Sequence, residues 1–414
     1  MENYRPETKC VFSGYRPKNG EPRQLPIIHS TTFKYDSSEA MGKLFDLEAD
    51  GYFYTRMQNP TNDHVAAKIC DLEGGVAAML TSSGQAASFY SIFNIASAGD
   101  HIVCSSAIYG GTFNLFNVTM RKLGFEFTFV KPNTKAVFGE TVSNPSLEVL
   151  DIERFAKAAH AHGVPLIVDN TFPTPINCRP FEFGADIVTH STTKYMDGHG
   201  SGVGGCIVDS GNFDWTQNDK YPGLTTPDDS YHGITYTERF GKSAYIVKAT
   251  AQLMRDLGSI PAPFNAFMLN FGLETLALRM ERHCQNGLAV AKYMKDSEYI
   301  ESITFPALEG DKSYDLVQKY MPKGTCGVVT FRIKGGREAA TKFMDSLKLA
   351  QIATHVADAR TCCLHPASTT HRQLTSQELA DCGVYDNLIR LSVGIENIDD
   401  ILEDVEQALI ASQK

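Results

Sequence analysis

Residues 151–170 read DIERFAKAAHAHGVPLIVDN, and this stretch decides the class of fold. Its first half predicts an amphipathic helix, with Asp151 as the N-cap and apolar side chains at positions 152, 155, 156 and 159. Gly163 ends the helix, and the apolar run VPLIV that follows predicts a buried strand. With the strand-like KAVFG at 135–139, the stretch forms a βαβ unit. Repeated units of this kind predict a mostly parallel sheet with helices on both faces.

The rest of the chain divides around this unit. Residues 1–58 are rich in proline, glycine and polar residues, and we expect them to form an irregular arm that lies on another surface. Helical and strand-like patterns alternate through 59–255, which predicts one large α/β domain. From 256 to 414 the pattern changes to helices around 264–297 followed by short strand-like runs, which predicts a smaller α+β domain.

One stretch leaves two alternatives open. Residues 125–130 (FEFTFV) and 136–138 (AVF) both have the pattern of buried strands, and only a few residues separate them. A parallel crossover needs a dozen or more residues. Either these strands are antiparallel, or a crossover helix is missing between Val130 and Pro132.

Composition excludes several classes of protein. The chain has 414 residues and a formal net charge of −10, which argues against nucleic-acid binding and against anionic membranes. No apolar run is long enough to span a membrane, and the first residues lack the apolar core of a secretory signal. The ten cysteines include no C-x-x-C pair, so we expect buried thiols in a reducing cytoplasm and no metal site. His365 and His371 are interpreted as loop histidines or as the polar lining of a cleft, and not as metal ligands.

Four features indicate the chemistry. Asp169 ends a buried strand, where it is either a helix cap or a functional charge. Lys194 follows another strand-like run and lies among small hydroxyl residues. Residues 82–85 (SSGQ) have the pattern of a helix N-terminus whose free N–H groups bind a phosphate. Arg390 lies in an apolar strand, where its guanidinium needs an anion such as a carboxylate. Pyridoxal 5′-phosphate (PLP) requires such a set, because it uses a lysine for its Schiff base and an acid opposite its pyridine nitrogen.

The sequence resembles the Cys/Met-metabolism family of PLP-dependent enzymes over essentially its whole length. The strings that carry the resemblance occur in the family's order: YTRMQNPT at 54–61, SSGQ at 82–85, YGGTF at 109–113, SNP at 143–145, VDNT at 168–171, HSTTKY at 190–195 and RLSVGIEN at 390–397. Within the family it is most similar to the O-acetylhomoserine sulfhydrylase (homocysteine synthase) branch. The resemblance implies an α/β fold-type I PLP-dependent transferase with a seven-stranded, mostly parallel sheet.

The resemblance also implies a role for each matching residue. Lys194 corresponds to the Schiff-base lysine, Asp169 to the partner of the pyridine nitrogen, and Tyr109 to the tyrosine stacked on the cofactor. Arg390 corresponds to the clamp on the substrate α-carboxylate, and Asn144 to the residue near the phenolic oxygen of the cofactor. The phosphate is held by the remaining matched residues, which are Gly84, Gln85, Ser191, Thr193 and, from the neighbouring subunit, Tyr54 and Arg56.

Two positions depart from the family pattern and bear on the substrate. Gly111 stands where methionine γ-lyases carry a cysteine, which argues against that branch. His355 stands where the family usually has serine or asparagine beside the substrate carboxylate, so it either donates to that carboxylate or narrows the pocket.

The expected reaction is γ-replacement on O-acetyl-L-homoserine with sulfide or a thiol, giving L-homocysteine or L-methionine and acetate. The alternatives are γ-elimination to 2-oxobutyrate, ammonia and a thiol, a cystathionine γ-synthase-type transfer, and a catalytically silent binding subunit. Because Tyr54 and Arg56 would complete the site of another copy, the resemblance implies a homodimer with shared sites, within a two-fold-symmetric tetramer.

Overall fold

The computed structural model describes residues 4–105, 107–127, 134–369 and 385–414. Its larger sheet has seven strands in the order β1-β7-β6-β5-β4-β2-β3. The strands are β1 Ala77–Thr81, β2 His101–Cys104, β3 Glu126–Phe127, β4 Thr134–Glu140, β5 Leu166–Asp169, β6 Ile187–His190 and β7 Gly205–Asp209. Only β7 runs antiparallel to its neighbours, which confirms the prediction of a mostly parallel seven-stranded sheet.

The described helices pack around the two sheets and in the arm. They are α1 Pro6–Phe12, α2 Ser38–Phe45, α3 Pro60–Glu73, α4 Gly84–Phe93, α5 Gly110–Asn114, α6 Ile152–Ala161, α7 Thr174–Asn177, α8 Pro222–Thr225, α9 Tyr236–Phe240, α10 Ala244–Lys248, α11 Arg255–Leu257, α12 Pro263–Glu274, α13 Leu276–Lys295, α14 Tyr314–Tyr320, α15 Gly336–Ser346 and α16 Ile398–Ser412. Two of them lie in the arm, so the expectation that residues 1–58 are irregular is wrong in part. Among the described residues no helix has the length and apolar character needed to cross a membrane.

The βαβ unit forms as predicted from 151–170. Asp151 caps α6, because its side chain accepts the N–H of Arg154. Strand β5 is buried on both faces: Leu166 and Val168 belong to one apolar cluster, and Ile167 belongs to another on the opposite face. This continuous apolar run is typical of a parallel strand covered by helices on both sides.

Strand β2 decides one of the two alternatives for residues 125–138. It lies between β3 and β4 and pairs with both in parallel, so the antiparallel alternative is wrong. Glu126 and Thr134 are both level with His101, on opposite sides of β2. Strand β3 has only two residues, so its end lies close to the level at which β4 begins. A connection from β3 to β4 therefore does not have to run back along a full strand. The proposed crossover helix falls on 128–133, outside the described residues.

The smaller sheet has five strands in the order β10-β11-β12-β9-β8. They are β8 Ile300–Thr304, β9 Val328–Ile333, β10 Gln351–Ile352, β11 Cys362–Leu364 and β12 Leu388–Ser392, and all neighbours except β10 and β11 are antiparallel. Helices α13, α15 and α16 cover its apolar face. This is the predicted C-terminal α+β arrangement, while the boundaries 1–58, 59–255 and 256–414 stay predictions.

Candidate active site

The candidate site begins where three parallel strands of the larger sheet end. Glu140 ends β4, Asp169 ends β5 and His190 ends β6. Glu140 is directly opposite Asp169 in the register, and Asp169 is opposite Thr189. Polar side chains are therefore brought side by side at the carboxyl edge of the sheet, where ligands bind in open α/β folds.

Asp169 carries a partly buried carboxyl group that is not a helix cap. Its Oδ1 accepts the Thr171 N–H at 3.0 Å and the Thr171 hydroxyl at 2.5 Å. The next helix, α7, is capped at Pro173, so the alternative of Asp169 as a helix N-cap is wrong. Burial raises the pKa of Asp169, and the two donors of Thr171 act in the opposite direction.

Lys194 lies in a tight turn directly after β6. Its N–H bonds to the Ser191 carbonyl at 3.3 Å, and its own carbonyl accepts the Gly198 N–H at 2.7 Å. Burial, reinforced by the positive charge of Arg390, lowers the pKa of Lys194 to about 8. None of the hydrogen bonds or ion pairs found in the described ranges involves its Nζ. A lysine with these properties is a reactive amine rather than a surface charge.

The segments predicted to hold a phosphate meet beside Lys194. Helix α4 begins at Gly84, and the Ser83 side chain caps it by accepting the Ala86 N–H at 3.1 Å. A Cβ on Gly84 would lie 2.6 Å from the Ser191 Cβ, so only glycine permits this approach. The side-chain Oε1 of Gln85 is buried without a partner. The Thr193 hydroxyl is less available to bind a phosphate, because it already bonds to both the N–H and the carbonyl of Gly204.

Arg390 brings a buried positive charge from the smaller sheet. The residue is 5% exposed, and burial lowers its pKa. It donates to Asn144 Oδ1 at 3.2 Å and to the carbonyls of Thr354 and His355 at 3.3 and 3.1 Å, while its Nε has no partner. No carboxylate pairs with it in the described part of the chain. A buried guanidinium without an anion is a binding site for one.

Tyr109 and His355 both lie near this arginine: the charge of Tyr109 affects the pKa of Arg390, and the His355 carbonyl accepts its N–H. Tyr109 is 48% exposed, and its backbone N–H donates to Glu140 Oε1 at 2.6 Å. His355 has its Nε2 buried without a hydrogen bond, 3.8 Å from Asp358 Oδ2. Burial and the charge of Lys194 lower the pKa of His355, so its imidazole is neutral near pH 7.

The two arm residues are not brought into this group by their own chain. The Arg56 guanidinium lies 5.2 Å from the centre of the Tyr54 ring and packs beside Gly258. None of the contacts found in the described ranges joins either residue to Gly84, Ser191 or Lys194. The other ten predicted site residues do converge on one region.

Sequence reasoning missed two residues that shape this region. Glu140 accepts the Tyr109 N–H, and its only sequence signal is a charge directly after an apolar strand. Arg279 is buried on α13 and donates to the carbonyls of Tyr195 and Met196, which directly follow Lys194. A helical arginine gives no sequence signal for such a contact.

The two histidines interpreted as loop residues have different outcomes. His365 bonds through Nδ1 to the Ser368 hydroxyl at 2.8 Å and through Nε2 to the Asp386 carbonyl at 2.7 Å, which confirms a satisfied loop histidine. His371 lies outside the described residues.

These residues fit PLP on three observations. Gly84 lets the N-terminus of α4 approach Ser191 closely, so backbone N–H donors and a hydroxyl lie together, which suits a phosphate. Lys194 has a free Nζ with a low pKa, which suits attack on an aldehyde. Asp169 is a partly buried acid that can hold a pyridine nitrogen protonated.

Comparison with known proteins agrees with this fit. The family model described as "Cys/Met metabolism PLP-dependent enzyme" matches residues 7–410. An O-acetyl-L-homoserine sulfhydrylase of Leptospira meyeri is 44% identical over 98% of this chain and 97% of its own. A homocysteine synthase of Schizosaccharomyces pombe is 45% identical over 97% of each chain. A crystal structure from Campylobacter jejuni, designated an O-acetylhomoserine (thiol)-lyase and containing N'-pyridoxyl-lysine-5'-monophosphate, has a TM-score of 0.95, with 34% identity over 98% of this chain and 100% of its own.

Proposed function

The chain belongs to the Cys/Met-metabolism family of PLP-dependent enzymes, and we propose on that premise that it catalyses γ-replacement on O-acetyl-L-homoserine. Sulfide or a thiol displaces acetate from Cγ, and the product is L-homocysteine or L-methionine. The observation that carries the proposal is the buried guanidinium of Arg390, which has no anionic partner among the described residues. Its positive charge contributes to the lowered pKa of Lys194, so the two groups belong to one site. The names of the relatives at 44% and 45% identity support the choice of substrate.

Recognition of the amino acid rests on its α-carboxylate. We assign this group to Arg390, whose buried guanidinium can bind a carboxylate through two parallel N–H donors. Asn144 orients the guanidinium through its Oδ1 at 3.2 Å. His355 would line the same pocket as a neutral imidazole, and it either donates to the carboxylate or narrows the space around the side chain.

Proton transfer is assigned to Lys194. Bound PLP supplies the electron sink that allows a proton to leave the substrate Cα at neutral pH. The Lys194 Nζ takes that proton and then moves one from Cβ, and its pKa of about 8 is close to the working pH of a general base. Asp169 would keep the ring nitrogen protonated, and Tyr109 would stack on the ring and guide the leaving acetate.

The phosphate would be held mainly by neutral donors of this chain. They are the N–H groups at Gly84 and Gln85 and the hydroxyls of Ser191 and Thr193. A phosphate dianion needs a positive partner, and we propose that it comes from Arg56, with Tyr54, of a neighbouring subunit. The enzyme would then be a homodimer with shared sites, within a tetramer. The nine cysteines in the described ranges are all free thiols, which supports a reducing cytoplasm as its location.

Product analysis tests the proposed reaction. With O-acetyl-L-homoserine and sulfide, the purified holoenzyme should form homocysteine and acetate, and without sulfide it should form neither. Sulfide-independent 2-oxobutyrate and ammonia, with no homocysteine, would refute replacement in favour of elimination. A protein with neither activity and no visible absorbance from the cofactor would be a silent subunit. Comparison of acetyl-, succinyl- and phosphohomoserine, each with sulfide and with methanethiol, identifies the acyl group and the acceptor.

Substitution of the lysine tests the proposed catalytic role. Lys194→Ala should lose more than about 99% of the activity, because the described part of the chain offers no second amine at this position to move the protons. Lys248→Met is the matched control, since Lys248 is also buried with a pKa lowered to about 8 but bonds to the Asn94 carbonyl away from the site. Its activity per bound cofactor should be unchanged.

Subunit complementation tests the shared site. Arg56→Ala and Lys194→Ala should each be inactive alone, and a mixture under subunit exchange should recover activity, because a hybrid dimer has one site with both native residues. No recovery despite proven exchange, with both variants folded, would place Arg56 in the site of its own chain.

A further inference from the structure

We propose that Glu140 is a positioning residue that joins the two sides of the substrate pocket, holding Tyr109 on one side and the Asn144–Arg390 pair on the other. The proposal rests on the proposed function, because it takes Tyr109 and Arg390 as the groups that meet the substrate. Glu140 itself is not assigned any contact with substrate or cofactor.

The contacts of Glu140 lead to both sides of the pocket. Its Oε1 accepts the Tyr109 N–H at 2.6 Å, at the point where helix α5 begins. The backbone of Asn144 also lies near the same carboxyl group and acts to lower its pKa. The Asn144 side chain in turn accepts a hydrogen bond from Arg390. One side chain at the end of β4 therefore holds the backbone of the loop with Tyr109 and lies beside the backbone of the loop with Asn144.

The burial of Glu140 and its charged neighbour limit which side chains can take its place. The residue is 7% exposed, and it lies opposite Asp169 on the adjacent strand. Burial and the charge of Asp169 raise the pKa of Glu140, and the backbone of Tyr109 and of Asn144 opposes that effect. In either protonation state the carboxyl group has two oxygens that accept hydrogen bonds, whereas an amide has one. A glutamine would turn an N–H₂ group toward one of the backbone N–H groups.

Glu140→Gln is the first test, with Ser143→Ala as the matched control. The Ser143 side chain bonds within the same turn, to the Ser146 hydroxyl and the Glu148 N–H, and none of its described hydrogen bonds reaches Glu140 or Tyr109. We expect Glu140→Gln to weaken the binding of L-norvaline, measured by calorimetry, by about 10- to 100-fold, since small displacements of positioning groups cost that much. L-Norvaline has an α-carboxylate but no leaving group. Ser143→Ala should stay within about twofold of the wild type.

A double-mutant cycle tests the link to Tyr109. If Glu140 acts through Tyr109, Glu140→Gln should lower kcat about tenfold in the native background but less than about threefold in a Tyr109→Phe background. A role in folding alone would instead lower the melting temperature and leave norvaline affinity and kcat per bound cofactor unchanged, with equal effects in both backgrounds. That result would overturn the proposal.

A second variant covers the case in which Glu140→Gln does not fold. Glu140→Asp keeps both acceptor oxygens on a shorter side chain, so it should restore norvaline binding at least partly relative to Glu140→Ala. Equal affinities for Glu140→Asp, Glu140→Ala and the wild type would contradict the proposal. The norvaline measurement also separates this inference from the proposed reaction, because it does not depend on the acyl group or the sulfur acceptor.

Discussion

Substitution of Gly111 by alanine tests whether the reaction requires the Tyr109 ring at its present position. A Cβ added to Gly111 would stand 2.4 Å from Tyr109 Cε1 and 2.7 Å from Gln85 Nε2. Ordinary carbon contacts are about 3.5 Å, so the ring must move by about 1 Å in the variant Gly111→Ala. The Tyr109 backbone is held by Glu140, and the ring must therefore yield by rotating about its own side-chain bonds.

Stability and activity should respond differently to this change. The ring is 48% exposed and can move into solvent, and alanine is a better helix former than glycine by about 0.5–1 kcal/mol. The melting temperature of Gly111→Ala should therefore stay close to that of the wild type. A shift of about 1 Å in a catalytic group can cost about 100-fold, so we expect kcat/KM for O-acetyl-L-homoserine to fall by about 10- to 100-fold.

The assay compares steady-state kinetics with thermal unfolding followed by circular dichroism. Gly202→Ala is the control, since a Cβ there meets no atom within 4 Å. It should leave both measurements unchanged. If Gly111→Ala binds the cofactor and keeps kcat/KM within about threefold of the wild type, the reaction does not need the ring at its present position. If activity and melting temperature fall together, the ring cannot yield and the reasoning about its mobility is wrong.

Three further predictions address other parts of the molecule. The rate of PLP incorporation into the apoenzyme should rise about tenfold per pH unit up to about pH 8 and then level off. The reason is that only the neutral Lys194 amine attacks the aldehyde, and its pKa is about 8. A plateau reached only above about pH 10 would contradict that pKa. Asp169→Asn should keep the fold but lower kcat at least tenfold, because acid–base groups contribute rate factors of at least about that size. Unchanged kinetics would contradict its proposed role at the ring nitrogen. Asp404→Ala should lower the free energy of unfolding in urea by about 2–3 kcal/mol, because the carboxylate accepts the N–H groups of residues 348, 349 and 350; a loss below about 0.5 kcal/mol would show that water replaces it.

Local sequence patterns determined the elements near the site. The capped helix α6 and the apolar strand β5 were predictable from 151–170, because helical periodicity, capping and strand burial depend on residues that are close in sequence. Lys194 and Asp169 were identifiable because each follows such a strand, and the order of the matching strings narrowed the chemistry to PLP. Helices α1 and α2 were not predicted, since residues 1–58 have little apolar periodicity over any long stretch.

Only the tertiary structure decided how the distant groups combine. Arg390 meets Asn144 across 246 positions of sequence, and it does so because the smaller sheet packs against the loops of the larger one. The placement of β2 between β3 and β4 excluded the antiparallel alternative that chain length alone left open. The roles of Glu140 and Arg279 also depend on tertiary contacts, because a backbone donor or acceptor supplied by a distant loop has no signature in the side-chain sequence. Local periodicity specifies an element, whereas long-range packing determines which ends of those elements meet to form a site.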